Sequence, residues 1–164
     1  LYYMNEGRHV QALNTIGIES KESDSKVATY VKAYSLYAVN SYEQALPHYE
    51  KYFKTSPTAA IAYTLAEIKI GLNDFLGATK NITFGIANSN DLLKTHYDIR
   101  TGSNYQVPIK ASFLVLKGLL KFREDKEKNS DAAIQILNQA LEIAPNFPEA
   151  IGNIDGINAL RKKD

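Results

Sequence analysis

The chain has 164 residues, and its 45% hydrophobic content is sufficient for a buried core. The 19 basic and 18 acidic residues leave a net charge of +1, so no general electrostatic field favours nucleic acid as a partner. The absence of cysteine excludes disulfides and thiolate chemistry within the chain but does not distinguish the cytosol from the periplasm. No apolar run approaches the ~20 residues of a membrane-spanning helix.

Helical periodicity begins at the first residue of the chain. Residues 1–5 have the pattern of the end of a helix, and a turn at Gly7 leads to a second helix at 9–18. This pattern predicts that the chain is a fragment of a longer protein, so that a targeting or membrane-anchoring sequence could precede residue 1. Two helix pairs follow, at 26–39 with 42–54 and at 58–72 with 74–87. Ser41 and Gln44 predict a capping box at the start of the second helix of the first pair.

Regular periodicity fails between residues 88 and 108. Residues 91–97 are compatible with either a helical turn or an extended segment, and residues 101–104 predict a loop. An apolar helix at 109–122 follows, and Ser130 starts the next helix. Pro148 is suited to the first position of a last helix that ends at about Lys162.

A fixed period relates the helix pairs to one another. Ala12, Ala45 and Ala78 are equally spaced, at about 33 residues, and each follows a turn that contains glycine or asparagine. Ala133 occupies the same place in a later pair but lies more than one period after Ala78, which indicates an insertion of about 22 residues. A period in this range predicts helical hairpins stacked in a row.

The chain resembles a tetratricopeptide repeat (TPR) protein. The small residue that opens each second helix, the turn before it, and the terminal Pro57 and Pro145 fit the pattern of that family, and residues 131–146 match it best. The resemblance implies an all-α fold, an α-solenoid of stacked antiparallel hairpins forming one domain with a right-handed superhelical twist. Its parts would be a truncated repeat (1–25), repeats at 26–57 and 58–88, an insertion (89–108), a repeat at 109–147 and a capping helix (148–164).

The resemblance also implies a scaffold or adaptor that binds other proteins. In such a fold the first helices line a concave groove, and side chains at i, i+4 and i+7 share one stripe. Tyrosine suits peptide recognition because it combines a large apolar face with a hydroxyl group. The positions that resemble the groove of the family are Val27, Tyr30, Tyr34, Tyr37, Tyr63, Glu67, Ile70, Val115, Leu119 and Phe122.

The expected partner is an apolar or aromatic protein segment, extended or helical. Family members that clamp the C-terminal carboxylate of chaperones use lysine, asparagine and arginine in the groove. The corresponding places here hold Tyr30, Tyr34, Ala60 and Thr64, so a chaperone C-terminus is not the expected ligand.

Two alternatives remain open for the groove tyrosines and for the function. The tyrosines could form inter-repeat core, as we expect for Tyr42, Tyr49 and Tyr52 from their repeat positions. The chain could instead be a structural subunit whose groove is filled by a preceding segment or by the 89–108 insertion. In that case it would self-associate through the ends of the repeat stack.

No residue pattern indicates an enzyme, a metal or a cofactor. His9, His48 and His96 lie on different repeats and have no second ligand at metal-compatible spacing. Asp91 and Asp98 could orient His96 for acid–base chemistry, but no nucleophile or oxyanion donor accompanies it. We therefore expect His96 to be a solvated loop histidine.

Overall fold

The computed structural model describes residues 1–161, which form nine α-helices and one β-hairpin. The elements are α1 (Tyr2–Asn5), α2 (His9–Ile16), α3 (Lys26–Ala38), α4 (Tyr42–Thr55), α5 (Ala59–Gly71), α6 (Phe75–Ala87), β1 (Leu93–Asp98), β2 (Ser103–Pro108), α7 (Ile109–Glu124), α8 (Ser130–Ile143) and α9 (Pro148–Arg161). The predicted helical-hairpin fold is confirmed. The predicted end of the last helix at about Lys162 lies outside the described residues. No helix within residues 1–161 is both long and apolar enough to cross a lipid bilayer.

The repeat period has a conformational basis at the turn between paired helices. Gly7, Asn40 and Asn73, which are equally spaced along the chain, have φ angles of 71°, 60° and 62°. Glycine and asparagine are the residues that tolerate this left-handed conformation best. Ala12, Ala45 and Ala78 each lie five positions after one of these turn residues, and all three are buried. A small side chain suits this position because the second helix of each pair packs closely there.

The N-termini of α3, α5 and α6 have side-chain caps. The Ser25 hydroxyl accepts a hydrogen bond from the N–H of Ala28 (3.1 Å), and Thr58 does the same for Ile61 (3.3 Å). The Asp74 carboxylate accepts one from the N–H of Gly77 (2.9 Å). These bonds satisfy N–H groups that have no partner within the helix.

The predicted capping box at Ser41 is wrong. The Ser41 side chain makes no cap hydrogen bond, although it precedes α4 directly. Its own N–H donates to the carbonyl of Leu36 (2.9 Å), and its ψ angle is 65° instead of the extended value, 160°, of Ser25. The tight turn therefore sets the backbone of Ser41 in a conformation that differs from the usual N-cap geometry.

The chain divides into two compact units, Leu1–Ala78 and a second that begins at Thr79, with the boundary inside α6. In the first unit α3, α4 and α5 surround a core that includes Leu36, Ala45, Tyr49, Leu65 and Ile68. In the second unit α7 packs on α8 and α8 on α9. The core of the second unit includes Val107, Leu114, Leu137, Phe147 and Ile157.

The insertion is a β-hairpin that belongs to the second unit. The sequence was compatible with either a helical turn or an extended segment at residues 91–97. In the structure most of these residues are extended and belong to β1. β1 pairs antiparallel with β2, in a register that runs from Leu93 opposite Pro108 to Asp98 opposite Ser103. The turn closes with a hydrogen bond from the N–H of Gly102 to the carbonyl of Asp98 (2.8 Å). One face of the hairpin, with His96 and Val107, is buried.

Buried polar side chains fix the connection between α2 and α3. The ammonium group of Lys32 donates to the carboxylate of Asp24 (2.8 Å) and to the carbonyl of Glu19 (2.8 Å). The ring of His48 on α4 is buried, and its Nε2 lies 2.7 Å from the carbonyl of Ile18. Since a carbonyl only accepts, Nε2 carries the proton. The connection is thus held by α3 and α4 together.

Burial lowers the pKa of His48 below its ordinary value of 6.5. The folded state therefore binds fewer protons than the unfolded state once the pH falls below about 6.5, and the free energy of unfolding decreases there by up to about 1.4 kcal/mol per pH unit. We expect urea unfolding at pH 7.5, 6.5 and 5.5 to show this loss. A His48→Gln variant, whose amide can still donate to Ile18, should lose less stability over the same range. Equal losses in the two proteins would contradict the prediction.

Candidate functional site

Aromatic side chains form a partly exposed surface on α3. Val27 is 51% exposed and Tyr34 is 38% exposed, and Tyr30 lies between them, half-buried. The ring of Tyr30 stacks on that of Tyr34 with centroids 6.0 Å apart and contacts Tyr52 of α4 at 5.1 Å. His9 of α2 lies 5.5 Å from Tyr34. We call these five residues the α3 aromatic surface. Its rings support one another and leave apolar area open to a partner.

Tyr37 and Glu67, both predicted groove residues, are brought together. The hydroxyl of Tyr37 donates to the carboxylate of Glu67 (2.9 Å), and its ring stacks on Tyr42 at 5.7 Å. Burial, followed by the nearby Glu67 carboxylate, raises the pKa of Tyr37. This bond joins α3 to α5, so Tyr37 stabilises the first unit in addition to any contact it offers a partner.

The structure corrects the predicted groove at two positions. Tyr63 and Val115 are each 3% exposed and lie in the core, so neither presents area to a partner. Ile70 is half-buried. Leu119 and Phe122 belong to the second unit with Val115 and pack, partly buried, against its core. Tyr49, expected in the core, is buried, while Tyr42 and Tyr52 are half-buried.

His96 is not a solvated loop histidine, and this prediction is wrong. It is buried on β1, where its Nε2 lies 2.7 Å from the Ser112 hydroxyl and its Nδ1 lies 2.9 Å from the Glu149 carboxylate. Its ring stacks on Tyr105 at 5.5 Å and meets the edge of Phe147 at 5.2 Å. One imidazole therefore joins the hairpin to α7 and α9.

Serine, histidine and glutamate in this order resemble a nucleophilic triad, but the geometry favours a structural role. Ser112 is 0% exposed, so no substrate reaches its oxygen. A nucleophile needs access to the reacting atom as well as a base. Burial, followed by the Glu149 carboxylate, raises the pKa of Tyr105 to about 12, which keeps this phenol neutral beside the histidine. We call Ser112, His96 and Glu149 the hairpin clasp.

Sequence reasoning missed the clasp because its members are far apart along the chain. Ser112 is 16 positions from His96, and Glu149 is 53 positions from it. No local spacing signals such a contact. Among residues 1–161, no cluster of three or more histidine, cysteine, aspartate or glutamate side chains is arranged to hold a metal ion.

The comparisons with known proteins rest on the fold. No family model matches the sequence, and no curated protein matches it. A solved structure described as "MamA RS-1 ArsTM double mutant" superposes with a TM-score of 0.69 at 16% sequence identity, covering 99% of this chain and 80% of that chain. MamA is a TPR-like helical solenoid. At this identity the likeness shows the fold alone: the chain has a TPR-like fold of helical hairpins.

Proposed function

We propose that the chain is a non-enzymatic protein-interaction scaffold whose α3 aromatic surface binds an apolar or aromatic segment of another protein. The observation that carries the proposal is the exposure of Val27 and Tyr34 beside the half-buried ring of Tyr30. These side chains are spaced along one face of α3, and their area is supported from beneath by Tyr52. The TPR-like fold supports the same class of function, because stacked helical repeats create extended binding surfaces.

The number of aromatic contacts that the α3 aromatic surface can offer is compatible with moderate affinity. Truncation of an aromatic hot-spot residue typically costs about 2 kcal/mol of binding free energy. A few such contacts approach the roughly 8 kcal/mol of a micromolar complex, after ordering costs are subtracted. The tyrosine hydroxyl of Tyr34 adds a hydrogen-bonding group at the exposed edge.

Substitution of the exposed residues tests the proposal without disturbing the core. We expect a Val27→Asp, Tyr34→Ala variant to keep the circular dichroism of the wild type and to lose a specific partner by about tenfold or more in affinity. A photo-crosslinking amino acid at position 34 should join the chain to that partner in lysate of the source organism. Leu76 provides the matched control, since it is an exposed apolar residue on α6 outside the surface. Crosslinks from position 76 but not from position 34 would exclude the α3 aromatic surface.

A structural role in assembly is the second candidate, favoured by apolar exposure on α1 and α2. Tyr2 on α1, Val10 on α2 and Leu1, which directly precedes α1, are all exposed, and exposed apolar side chains that cluster mark an interaction surface. Photo-crosslinking from position 10 as well as from position 34 separates the two candidates, since a homodimer formed from position 10 would support assembly through α1 and α2. A homodimer formed from position 34 would assign the α3 aromatic surface to self-association, whereas a heterologous product supports the scaffold.

A further inference from the structure

A cleft lies beside the outer edge of the hairpin in the second unit. It has a volume of about 440 Å³ and separates β2 from the segment that joins α8 to α9. Tyr105, Gln106 and Pro108 line one side, and Ile143, Pro145 and Phe147 line the other. Small-molecule sites commonly have volumes of about 300 to 1,000 Å³, so the cleft is large enough to hold a few side chains. Five of the six β2 residues line this cleft, all except Asn104, and we call it the slot.

The hydrogen-bond ladder determines which backbone groups of β2 point away from β1. The N–H of Ile109 donates to the carbonyl of Leu92 (2.8 Å), which adds one hydrogen-bonded pair to the end of the hairpin register. In an antiparallel pair, hydrogen-bonded and non-hydrogen-bonded positions alternate. Val107 and Tyr105 therefore direct their N–H and C=O groups toward β1. Asn104 and Gln106 direct theirs outward, away from β1.

The outward groups of β2 remain available within residues 1–161. Neither Asn104 nor Gln106 has a backbone hydrogen bond to a segment beyond the hairpin. The Gln106 side chain donates to the Thr95 hydroxyl on β1 (3.2 Å), so it lies across the sheet and leaves its own backbone edge uncovered. Pro108 has no N–H and ends the usable edge.

The two walls of the slot are held in place by the hairpin clasp. His96 ties β1 to Ser112 and Glu149, and the ring of Phe147 packs edge-on against both His96 and Tyr105. Binding to a slot that is already formed costs less free energy than binding to a slot that must first be ordered. Its aromatic and aliphatic lining suits apolar side chains at alternate positions of a bound strand.

We propose that the outer edge of β2 binds an extended peptide segment of a partner protein by adding it as a third strand of the hairpin sheet. The occupant follows from the chemistry of the edge: alternating N–H and C=O groups in a row are complementary to an extended backbone. The exposed apolar side chains of Ile143 and Pro145 would contact every second side chain of that segment. The buried ring of Phe147 supports Tyr105 behind them. This site is separate from the α3 aromatic surface and does not depend on the function proposed for it.

A set of blocked peptides of about six residues, with valine, leucine, phenylalanine and threonine varied at alternate positions, tests the proposal. We expect members of this set to bind the wild-type chain and to slow amide hydrogen exchange at Asn104 and Gln106. N-methylation of the alternate peptide amides that face β2 should weaken binding by about tenfold or more, although the side chains are unchanged. Equal binding of the methylated peptide, or no binding by any member, would overturn the proposal.

Proline substitutions on the two hairpin edges supply a matched pair. Gln106→Pro removes an outward N–H on β2, and Thr95→Pro removes the equivalent outward N–H on β1; edge strands tolerate proline at such positions. We expect Gln106→Pro to lose the peptide and Thr95→Pro to keep it, with circular dichroism confirming that both fold. The reverse result would place the site on β1. A wild-type dimer that Gln106→Pro dissociates in sedimentation would show that a second copy is the occupant and would overturn the assignment. If Gln106→Pro fails to fold, the N-methylated peptide decides the question on the wild type.

Discussion

Replacement of Asp24 by alanine is expected to lower the free energy of unfolding by about 3 to 5 kcal/mol, the range measured when one partner of a buried ion pair is removed. The side chain of Lys32 is 1% exposed and that of Asp24 is 9% exposed. Without Asp24, the Lys32 ammonium would keep only the carbonyl of Glu19 as a partner. A buried charge in that state is poorly compensated. Urea unfolding monitored by circular dichroism would measure the loss.

Two control variants separate this effect from the simple loss of a surface charge. Glu124→Ala breaks the ion pair with Lys121 on α7, where both side chains are well exposed, and should change stability by no more than about 1 kcal/mol. Combining Asp24→Ala with Lys32→Met removes the unpaired charge and should restore much of the stability. If the double variant were less stable than Asp24→Ala alone, the buried charge would not be the cause.

The Lys32–Asp24 pair also predicts how acid affects the first unit. The hydrogen bond from Lys32 is the main cause that lowers the pKa of Asp24 below its ordinary value of 3.8. The stabilisation is therefore fully present above pH 3.8 and is lost as the pH falls through the lower, folded-state pKa. It acts in a more acidic range than the His48 effect, so the two can be measured separately.

The helices could be predicted from sequence because each signal is local. A turn residue with positive φ, such as Asn40 or Asn73, is followed within a few positions by a small buried alanine. This combination occurs before Ala12, Ala45 and Ala78, but the turn before Ala133 has no residue with positive φ. Periodicity then fixes where each helix begins and ends. The capping box predicted at Ser41 is absent for a related reason. The turn at Asn40 imposes a backbone conformation on Ser41 that differs from N-cap geometry.

The β-hairpin could not be predicted from a local periodic pattern, because the inward-facing positions of β1 are polar. The face of β1 that packs on the second unit carries Lys94, His96 and Asp98, whereas Leu93 and Tyr97 point outward and are exposed. A search for alternating apolar residues would therefore select the wrong face. His96 is held there by Ser112 and Glu149, which are distant in sequence. Asp98 pairs instead with the nearby Arg100.

The repeat pattern also could not predict which tyrosines of the first helices are exposed. Tyr30 and Tyr63 occupy equivalent positions in successive repeats, yet the first is half-buried and the second is in the core. The repeat pattern places both on the same stripe of their helices. It does not specify which neighbours cover them, since that depends on packing between elements.

Replacement of His96 by alanine should destabilise the second unit by about 2 to 6 kcal/mol. The change would leave the buried Ser112 hydroxyl without this partner, at a cost of about 1 to 3 kcal/mol, and would remove the ring contacts with Tyr105 and Phe147, worth about 0.5 to 1.5 kcal/mol each. Because the same ring joins β1 to α7 and α9, the hairpin should loosen first. We expect trypsin to cleave after Arg100 faster than in the wild type.

The histidine on α2 is the appropriate control for this experiment. His9 is half-buried and has a ring contact with Tyr34 and a long contact of 3.5 Å with the Ser35 hydroxyl, so His9→Ala should cost less than His96→Ala, about 1 to 2 kcal/mol. His96→Gln, which can still reach Ser112, should recover part of the stability that His96→Ala loses. If His96→Ala unfolds at the same urea concentration as the wild type and resists trypsin equally, the clasp does not hold the hairpin. The slot beside β2 would then lack the fixed wall on which strand addition depends, and its affinity for any peptide would have to come from the backbone edge alone.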